Sequence, residues 1–100
     1  MGVNTTGYNN AGVGTNSLDA NTTGYNNAAV GRSAMQVNTT GHSNAAFGAY
    51  SLDANTTGDS NTGLGYGALS GNTTADNNTA VGSNAMLNNT TGTQNVAIGS

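Results

Sequence analysis

This chain of 100 residues has no cysteine, no proline and no tryptophan, and only 5% of its residues are charged. Without cysteine, neither a disulfide nor a thiolate metal site can form. The charged side chains are one arginine and four aspartates, which give a formal net charge of −3. Because so few charges produce no strong field, we expect neither nucleic acid nor an anionic membrane as a partner.

Long apolar runs are also missing. No stretch is long enough to span a membrane, and the N-terminus lacks the basic start and apolar run of a signal peptide. We therefore expect no membrane insertion by this segment. Abundant glycine and asparagine would by themselves favour disorder, but a disordered chain has no reason to keep its apolar residues at one fixed spacing.

What the chain does contain is a repeat of 17 residues, marked by the tripeptide Asn-Thr-Thr. Complete rows of the repeat are residues 4–20, 21–37, 38–54, 55–71 and 72–88, and a partial row is 89–100. We number its columns from 1, the asparagine of Asn-Thr-Thr, to 17. Since most columns keep their chemistry, residues 1–100 are expected to form a single repeat domain.

Five columns carry most of the information. Column 1 is always asparagine: Asn4, Asn21, Asn38, Asn55, Asn72 and Asn89. Column 7 is also asparagine: Asn10, Asn27, Asn44, Asn61, Asn78 and Asn95. Column 9 is glycine or alanine: Gly12, Ala29, Ala46, Gly63, Ala80 and Ala97. Column 10 is a larger apolar residue: Val13, Val30, Phe47, Leu64, Val81 and Ile98. Column 15 is leucine or methionine: Leu18, Met35, Leu52, Leu69 and Met86.

A period of 17 residues favours a β-solenoid. Helical repeats need about 33 to 47 residues because each unit must hold at least two helices, and glycine and Asn-Thr-Thr are poor helix formers. The strongest hairpin signals, Asn-Gly and Asp-Gly, do not occur in the chain. We therefore predict an all-β fold, a parallel β-solenoid of about six coils. Each coil should carry two or three short strands, stacked about 4.8 Å from the next coil.

Columns 7 to 11 read Asn-x-(Ala/Gly)-apolar-Gly and predict the clearest strand. Because side chains alternate along a strand, columns 9 and 10 must face opposite ways. We predict that column 10 lines the inside of the coil and that column 15 closes the same core from the other wall. The small column 9 would then lie outside, where a neighbouring chain can approach closely.

The energetics favour such a neighbour. Two large apolar side chains per coil contribute about 1.5 to 3 kcal/mol each when buried. Ordering the chain costs about 1.5 kcal/mol per residue, so a lone coil would be marginal. We therefore expect self-association.

The asparagine columns have two interpretations. In the structural one, the amides form hydrogen-bonded ladders along the stack and cap the turns. In the other, they carry glycans, since every Asn-Thr-Thr is formally an acceptor sequon, with further sequons at Asn77 and Asn88. Because the repeat itself generates the motif, we favour the structural interpretation.

The segments Asn78-Thr79-Ala80-Val81-Gly82-Ser83-Asn84-Ala85 and Asn95-Val96-Ala97-Ile98-Gly99-Ser100 resemble the head repeat of trimeric autotransporter adhesins of the YadA type. The 17-residue tract is also similar to repeat tracts in bacterial surface adhesins and phage tail fibres. The resemblance covers nearly the whole chain. It implies a left-handed β-roll whose three chains pack side by side, with the small column near the threefold axis, on a cell surface or virion fibre.

Catalytic and metal-binding residues are not expected. His42 is the only histidine, and column 5, to which it belongs, holds tyrosine, aspartate or threonine in the other rows. We interpret column 5 as a variable outward position. Asp59 and Asp76 are one coil apart, and we expect a solvated surface pair there rather than a cation site. The chain is therefore predicted to be non-enzymatic, with no cofactor.

The predicted function is that of a structural or adhesive fibre protein, extracellular or on a virion. The chain would form a homotrimeric rod, or an end-to-end filament in which Ser100 of one copy meets Met1 of the next. Exposed tyrosines such as Tyr50 and Tyr66 could contact a host-surface protein or glycan.

The alternative is an ice-binding solenoid that orders water on a threonine ladder, mixed with the asparagines two residues earlier. Its residues are those of column 3: Thr6, Thr23, Thr40, Thr57, Thr74 and Thr91.

Overall fold

A computed structural model describes residues 4–99 of the chain. In that range it has six strands of three residues and no helix. The strands are β1 (Ala11–Val13), β2 (Ala28–Val30), β3 (Ala45–Phe47), β4 (Thr62–Leu64), β5 (Thr79–Val81) and β6 (Val96–Ile98). The suggested junction between Met1 and Ser100 lies outside the described residues.

All six strands belong to one parallel sheet in the order β1-β2-β3-β4-β5-β6. The register advances by one repeat at each step, so that Ala11 pairs with Ala28 and Ala28 with Ala45. The solenoid measures 34 × 23 × 17 Å along its principal axes. The predicted parallel β-solenoid is therefore confirmed, whereas its hand and its trimeric state stay predictions.

Each coil contains one strand, where two or three were predicted. The rest of the coil consists of turns, because columns 6, 13 and 15 place residues at positive φ, for example Asn9 at 56°, Asn16 at 61° and Leu18 at 50°. A residue at positive φ lies outside the extended β region, so it bends the chain and ends an extended segment. Backbone hydrogen bonds still join the coils in the turns, as from the Leu18 N–H to the Ala34 carbonyl at 3.1 Å.

Column 11 is glycine because its backbone leaves no alternative. Gly48 has a φ of 132°, and a Cβ added there would lie 2.6 Å from the carbonyl oxygen of Gly65 in the next coil. Gly31 has a φ of 131° and the same close approach to Gly48. This column is therefore the corner at which each strand ends and adjacent coils come into direct backbone contact.

The core is formed by columns 9 and 15, so the prediction that column 10 lines it is wrong. In the four coils that have described neighbours on both sides, column 9 is buried: Ala29, Ala46, Gly63 and Ala80. The two outer members, Gly12 and Ala97, are exposed and half-buried. Column 15 is buried as predicted: Leu18, Met35, Leu52 and Leu69 are 0% exposed, and Met86 packs against them.

Column 10 instead faces outward. Its exposed members are Val13 at 60%, Val30 at 36%, Phe47 at 43%, Leu64 at 46% and Ile98 at 79%, and Val81 is half-buried. The reason is the width of the coil: a Cβ at Gly63 would already lie 3.0 Å from the Ala68 carbonyl and 3.1 Å from Ser51 Oγ. Opposite the leucines and methionines there is room for a methyl group and nothing larger.

The proposed inter-chain role of column 9 is therefore also wrong. These small residues are covered by the far wall of their own coil, since Ala29, Ala46 and Ala80 are all 0% exposed. The prediction that columns 9 and 10 face opposite ways was correct, but column 9 faces inward and column 10 outward, the reverse of what was predicted. The larger column is the one that another chain could reach.

Candidate interaction surface

The asparagines of column 1 form a buried ladder. Asn38 Nδ2 donates to Asn21 Oδ1 of the preceding coil at 2.9 Å and to the Gly41 carbonyl of its own coil at 3.0 Å. The same two bonds recur at Asn21, Asn55 and Asn72. The predicted structural role of these amides is therefore confirmed.

Column 7 forms a second ladder that ties adjacent coils together. Asn44 Nδ2 donates to the Gly58 carbonyl at 2.8 Å, and Asn44 Oδ1 accepts the N–H of Asn61 at 2.8 Å. Every buried side-chain nitrogen and oxygen in residues 4–99 has a hydrogen-bond partner. The stacking of the coils therefore requires asparagine in both columns, because each buried amide needs the same hydrogen-bond partner one coil away.

Four of the six sequons of column 1 are not accessible in the folded chain. Asn21, Asn38, Asn55 and Asn72 are 0% exposed, and their amide nitrogens each make two hydrogen bonds. A glycan on any of them would displace both bonds and the coil stacked above. Only sequons outside these four, such as that of the exposed Asn77, present an amide to solvent.

The outward side of the sheet is an exposed apolar surface, with Phe47 at 43% and Leu64 at 46% exposure. We call it the outer sheet face and define it as columns 8 and 10 of the six strands. Column 8 consists of Ala11, Ala28, Ala45, Thr62, Thr79 and Val96. Neither column contains a charged residue. Exposed apolar surface that is contiguous in this way marks an interaction site more often than isolated exposed residues do.

Column 5, which precedes the strand in each coil, forms a ladder of its own. The rings of Tyr8 and Tyr25 are stacked at 5.0 Å, and those of Tyr25 and His42 at 4.5 Å. His42 Nε2 lies 3.1 Å from Asp59 Oδ2, and Asp76 Oδ1 accepts the Asp59 N–H at 2.8 Å. We call this column the leading edge of the outer sheet face.

The leading edge was missed by sequence reasoning, which treated column 5 as merely variable. Its order of residue types, from aromatic through histidine to acid, was the available signal, because each type is matched to its neighbour along the stack. Asp59 also accepts the His42 backbone N–H at 2.9 Å. The two aspartates are themselves linked, because the Asp59 N–H donates to Asp76 Oδ1.

A second group of side chains follows the strand, beyond the glycine corner. The guanidinium carbon of Arg32 lies 5.8 Å from the centroid of the Tyr50 ring. Tyr50 and Tyr66 meet edge to face at 5.7 Å, and Tyr66 is 57% exposed. Arg32 is the only arginine in the chain, which has no lysine. We call columns 12 and 13, which hold these residues, the trailing edge.

The threonines of column 3 lie on a different side of the coil. All six are exposed, whereas the asparagines two residues earlier are buried in the four coils that have described neighbours on both sides. The prediction that these threonines share one face with the asparagines of column 1 is therefore wrong. The neighbouring threonines of column 2 use their hydroxyls internally, as Thr39 Oγ1 donates to the Thr56 carbonyl at 3.2 Å.

Residues 4–99 contain no group of three or more histidine, cysteine or acidic side chains arranged to hold a metal ion, and no cavity. The same range also has no helix that could cross a membrane.

Comparison with protein-family models, with curated proteins and with solved structures finds no match to this chain. The function is therefore inferred from the surfaces of the solenoid.

Proposed function

We propose that this chain is a non-enzymatic structural segment of an extracellular or virion fibre, and that its copies associate side by side through the outer sheet face into a homotrimeric rod. The observation that carries the proposal is the exposure of column 10, with Phe47 at 43% and Leu64 at 46%. Valine, leucine, isoleucine or phenylalanine occupies this column in all six coils, although none of these residues belongs to the buried core cluster. Their retention is explained if another chain covers them.

The composition of the core supports the same conclusion. Each coil buries one large apolar side chain, from column 15, together with small residues of columns 9 and 14. Covering column 10 would contribute up to about 1.5 to 3 kcal/mol for each side chain that becomes fully buried. Self-association would therefore supply much of the apolar burial that the isolated solenoid lacks.

The resemblance to adhesin heads and tail-fibre tracts supports the extracellular or virion location. An adhesive role would fall to outward columns that differ from coil to coil. Tyr66, which is 57% exposed, is an example of a residue suited to contact a host-surface protein or glycan.

Sedimentation equilibrium tests the association directly. We expect a species of three times the chain mass of 9.8 kDa. The double variant Phe47→Asp/Leu64→Asp should be monomeric, because it places charges on the outer sheet face. The matched control is Thr40→Asp/Thr57→Asp, which adds the same charges to the exposed column 3 of the same two coils and should stay trimeric. A monomeric unmodified chain would overturn the proposal.

Electron microscopy of the same samples distinguishes the two forms of assembly. Discrete short rods are expected for a trimer that does not polymerise. Continuous fibres would show that copies also stack end to end.

A second candidate function, ice binding, is favoured by the exposure of column 3 in all six coils. A regular threonine rank on one side of a solenoid could order water. Thermal hysteresis measures this activity, and Thr40→Tyr/Thr57→Tyr should reduce it by breaking the rank. Absence of hysteresis in the unmodified protein would eliminate this candidate.

A further inference from the structure

The outer sheet face is asymmetric from one edge to the other. In every strand the column 8 residue is smaller than the column 10 residue: Ala28 and Val30 in β2, Ala45 and Phe47 in β3. The smaller residues lie next to the leading edge, and the larger ones lie next to the trailing edge. A partner that fits this face must therefore present the opposite gradient.

A second copy of the chain presents that gradient in one orientation. We propose that neighbouring chains lie parallel and level, with the trailing edge of one chain against the leading edge of the next. The proposal rests on the self-association inferred above and specifies which residues of the two chains meet.

Symmetry gives the first argument. In a closed ring whose axis is parallel to the stack of coils, one edge of each subunit must meet the other edge of its neighbour. The large column 10 of one chain is then beside the small column 8 of the next at every level. An antiparallel dimer would instead place column 10 against column 10, with gaps at column 8, and close packing disfavours that arrangement.

The chemistry of the two edges gives the second argument. At the level of coil 55–71, the leading edge holds Asp59 and the trailing edge holds the exposed Tyr66. At the level of coil 72–88, the corresponding residues are Asp76 and Ser83. In a level, parallel neighbour both carboxylates of the leading edge thus face a hydroxyl that can donate to them, and neither faces the other's counterpart.

The arginine fits the same scheme. Coil 21–37 carries Tyr25 on the leading edge and Arg32 on the trailing edge, so the guanidinium would face a phenol oxygen. Within residues 4–99 the one close contact between a carboxylate and a basic side chain is that of Asp59 with His42, so no carboxylate there pairs with Arg32. A single chain cannot make these edge contacts itself, because a three-residue strand of about 10 Å separates its two edges.

Cross-linking between singly substituted chains tests the pairing, since the natural chain has no cysteine. Chains carrying Tyr25→Cys and chains carrying Arg32→Cys are co-expressed and treated with a short bismaleimide. A second matched pair is Asp76→Cys with Ser83→Cys. Both pairs should give covalent dimers on a reducing gel, and each variant expressed alone should give none. Because only one cysteine is present per chain, every cross-link is between chains.

Mismatched pairs provide the contrast. Tyr25→Cys with Ser83→Cys lies three coils out of register, about 14 Å along the stack, and should not cross-link. Tyr25→Cys with Asp76→Cys should cross-link only in an antiparallel assembly. Cross-links in either mismatched pair, with none in the matched pairs, would overturn the edge pairing while leaving self-association intact.

Sedimentation of the unmodified chain and of each variant separates the two levels of the proposal. If the variants assemble like the unmodified chain, the cross-linking pattern decides between parallel and antiparallel neighbours. If the unmodified chain is monomeric, both the proposed function and the edge pairing are overturned.

Discussion

The interior of the solenoid and its outer edges are built on two different kinds of repetition. In the interior, each residue stacks on one of the same or a closely similar type, as Asn38 does on Asn21 and Asn55. Along the leading edge, the residue type changes along the stack, as from Tyr25 to His42 and from His42 to Asp59. Because the interior columns are alike in every coil, they do not distinguish one coil from another. The edge residues differ from coil to coil and therefore do. The interior therefore fixes the fold, and the edges can fix where a neighbouring chain aligns.

The sharpest way to break the interior is to add one methyl group at the glycine corner. Gly48→Ala places a Cβ 2.6 Å from the Gly65 carbonyl oxygen at a φ of 132°. The three nearest atoms all belong to the Gly65 backbone, which cannot move aside as a side chain can, so we expect a loss of about 4 kcal/mol in unfolding free energy, at the upper end for single substitutions. Chemical denaturation followed by circular dichroism measures the loss.

The matched control for this change is Gly63→Ala, which adds a methyl group to column 9. Other coils already carry alanine there, and a Cβ at Gly63 would approach Ser51 Oγ at 3.1 Å. We expect a change of about 1 kcal/mol or less. Equal losses at Gly48 and Gly63 would contradict the assignment of the corner.

Replacing one leucine in each wall distinguishes the core from the outer sheet face. Leu52 is 0% exposed and Leu64 is 46% exposed. Leu52→Ala should lower the unfolding free energy of the monomer by about 3 kcal/mol, as buried leucines do. Leu64→Ala should have little effect on the monomer and should weaken self-association. Denaturation at low protein concentration, together with sedimentation, measures both effects.

This pair of leucines also shows where prediction from the sequence succeeded. The period, the parallel stacking, the position of the strand, the burial of column 15 and the asparagine ladders all follow from repetition alone, since each needs only a like residue one coil away. Leu52 and Asn55 were correctly placed for that reason.

The sidedness of column 10 did not follow from repetition. Alternation shows that columns 9 and 10 face opposite ways, but choosing between them needs the width of the coil. That width depends on turns at which leucine and methionine adopt positive φ, as Leu52 does at 51°. Such a conformation is disfavoured by roughly 1 to 2 kcal/mol for a residue with a Cβ, so the sequence gives no signal for it. The prediction of two or three strands per coil was wrong for the same reason.

A smaller interior effect is expected from Asn55→Ala. The substitution removes the donor to Asn38 Oδ1 and to the Gly58 carbonyl, and the acceptor for Asn72 Nδ2. Unpaired buried groups cost about 1 to 3 kcal/mol, and we expect a net loss of about 2 kcal/mol because water can reach part of the gap. Thermal unfolding compares it with Thr57→Ala in the same coil, which is exposed and should change stability by about 0.5 kcal/mol or less. A similar loss of stability at both positions would show that the buried asparagine contributes no more to the unfolding free energy than the exposed threonine.

The smallest expected effect concerns the edges. Tyr66→Phe removes only the hydroxyl that would donate to Asp59 of a neighbouring chain, at a side chain that is 57% exposed. The monomer should keep its stability, because Tyr66 contacts Tyr50 through its ring. The assembly should lose about 1 kcal/mol per contact, roughly a fivefold weakening. Sedimentation equilibrium measures it against Tyr50→Phe, which removes a hydroxyl from a half-buried ring of the same edge and should leave assembly unchanged. If both variants assemble like the unmodified chain, Tyr66 makes no hydrogen bond across the edges, and the level of neighbouring chains must be set by the outer sheet face alone.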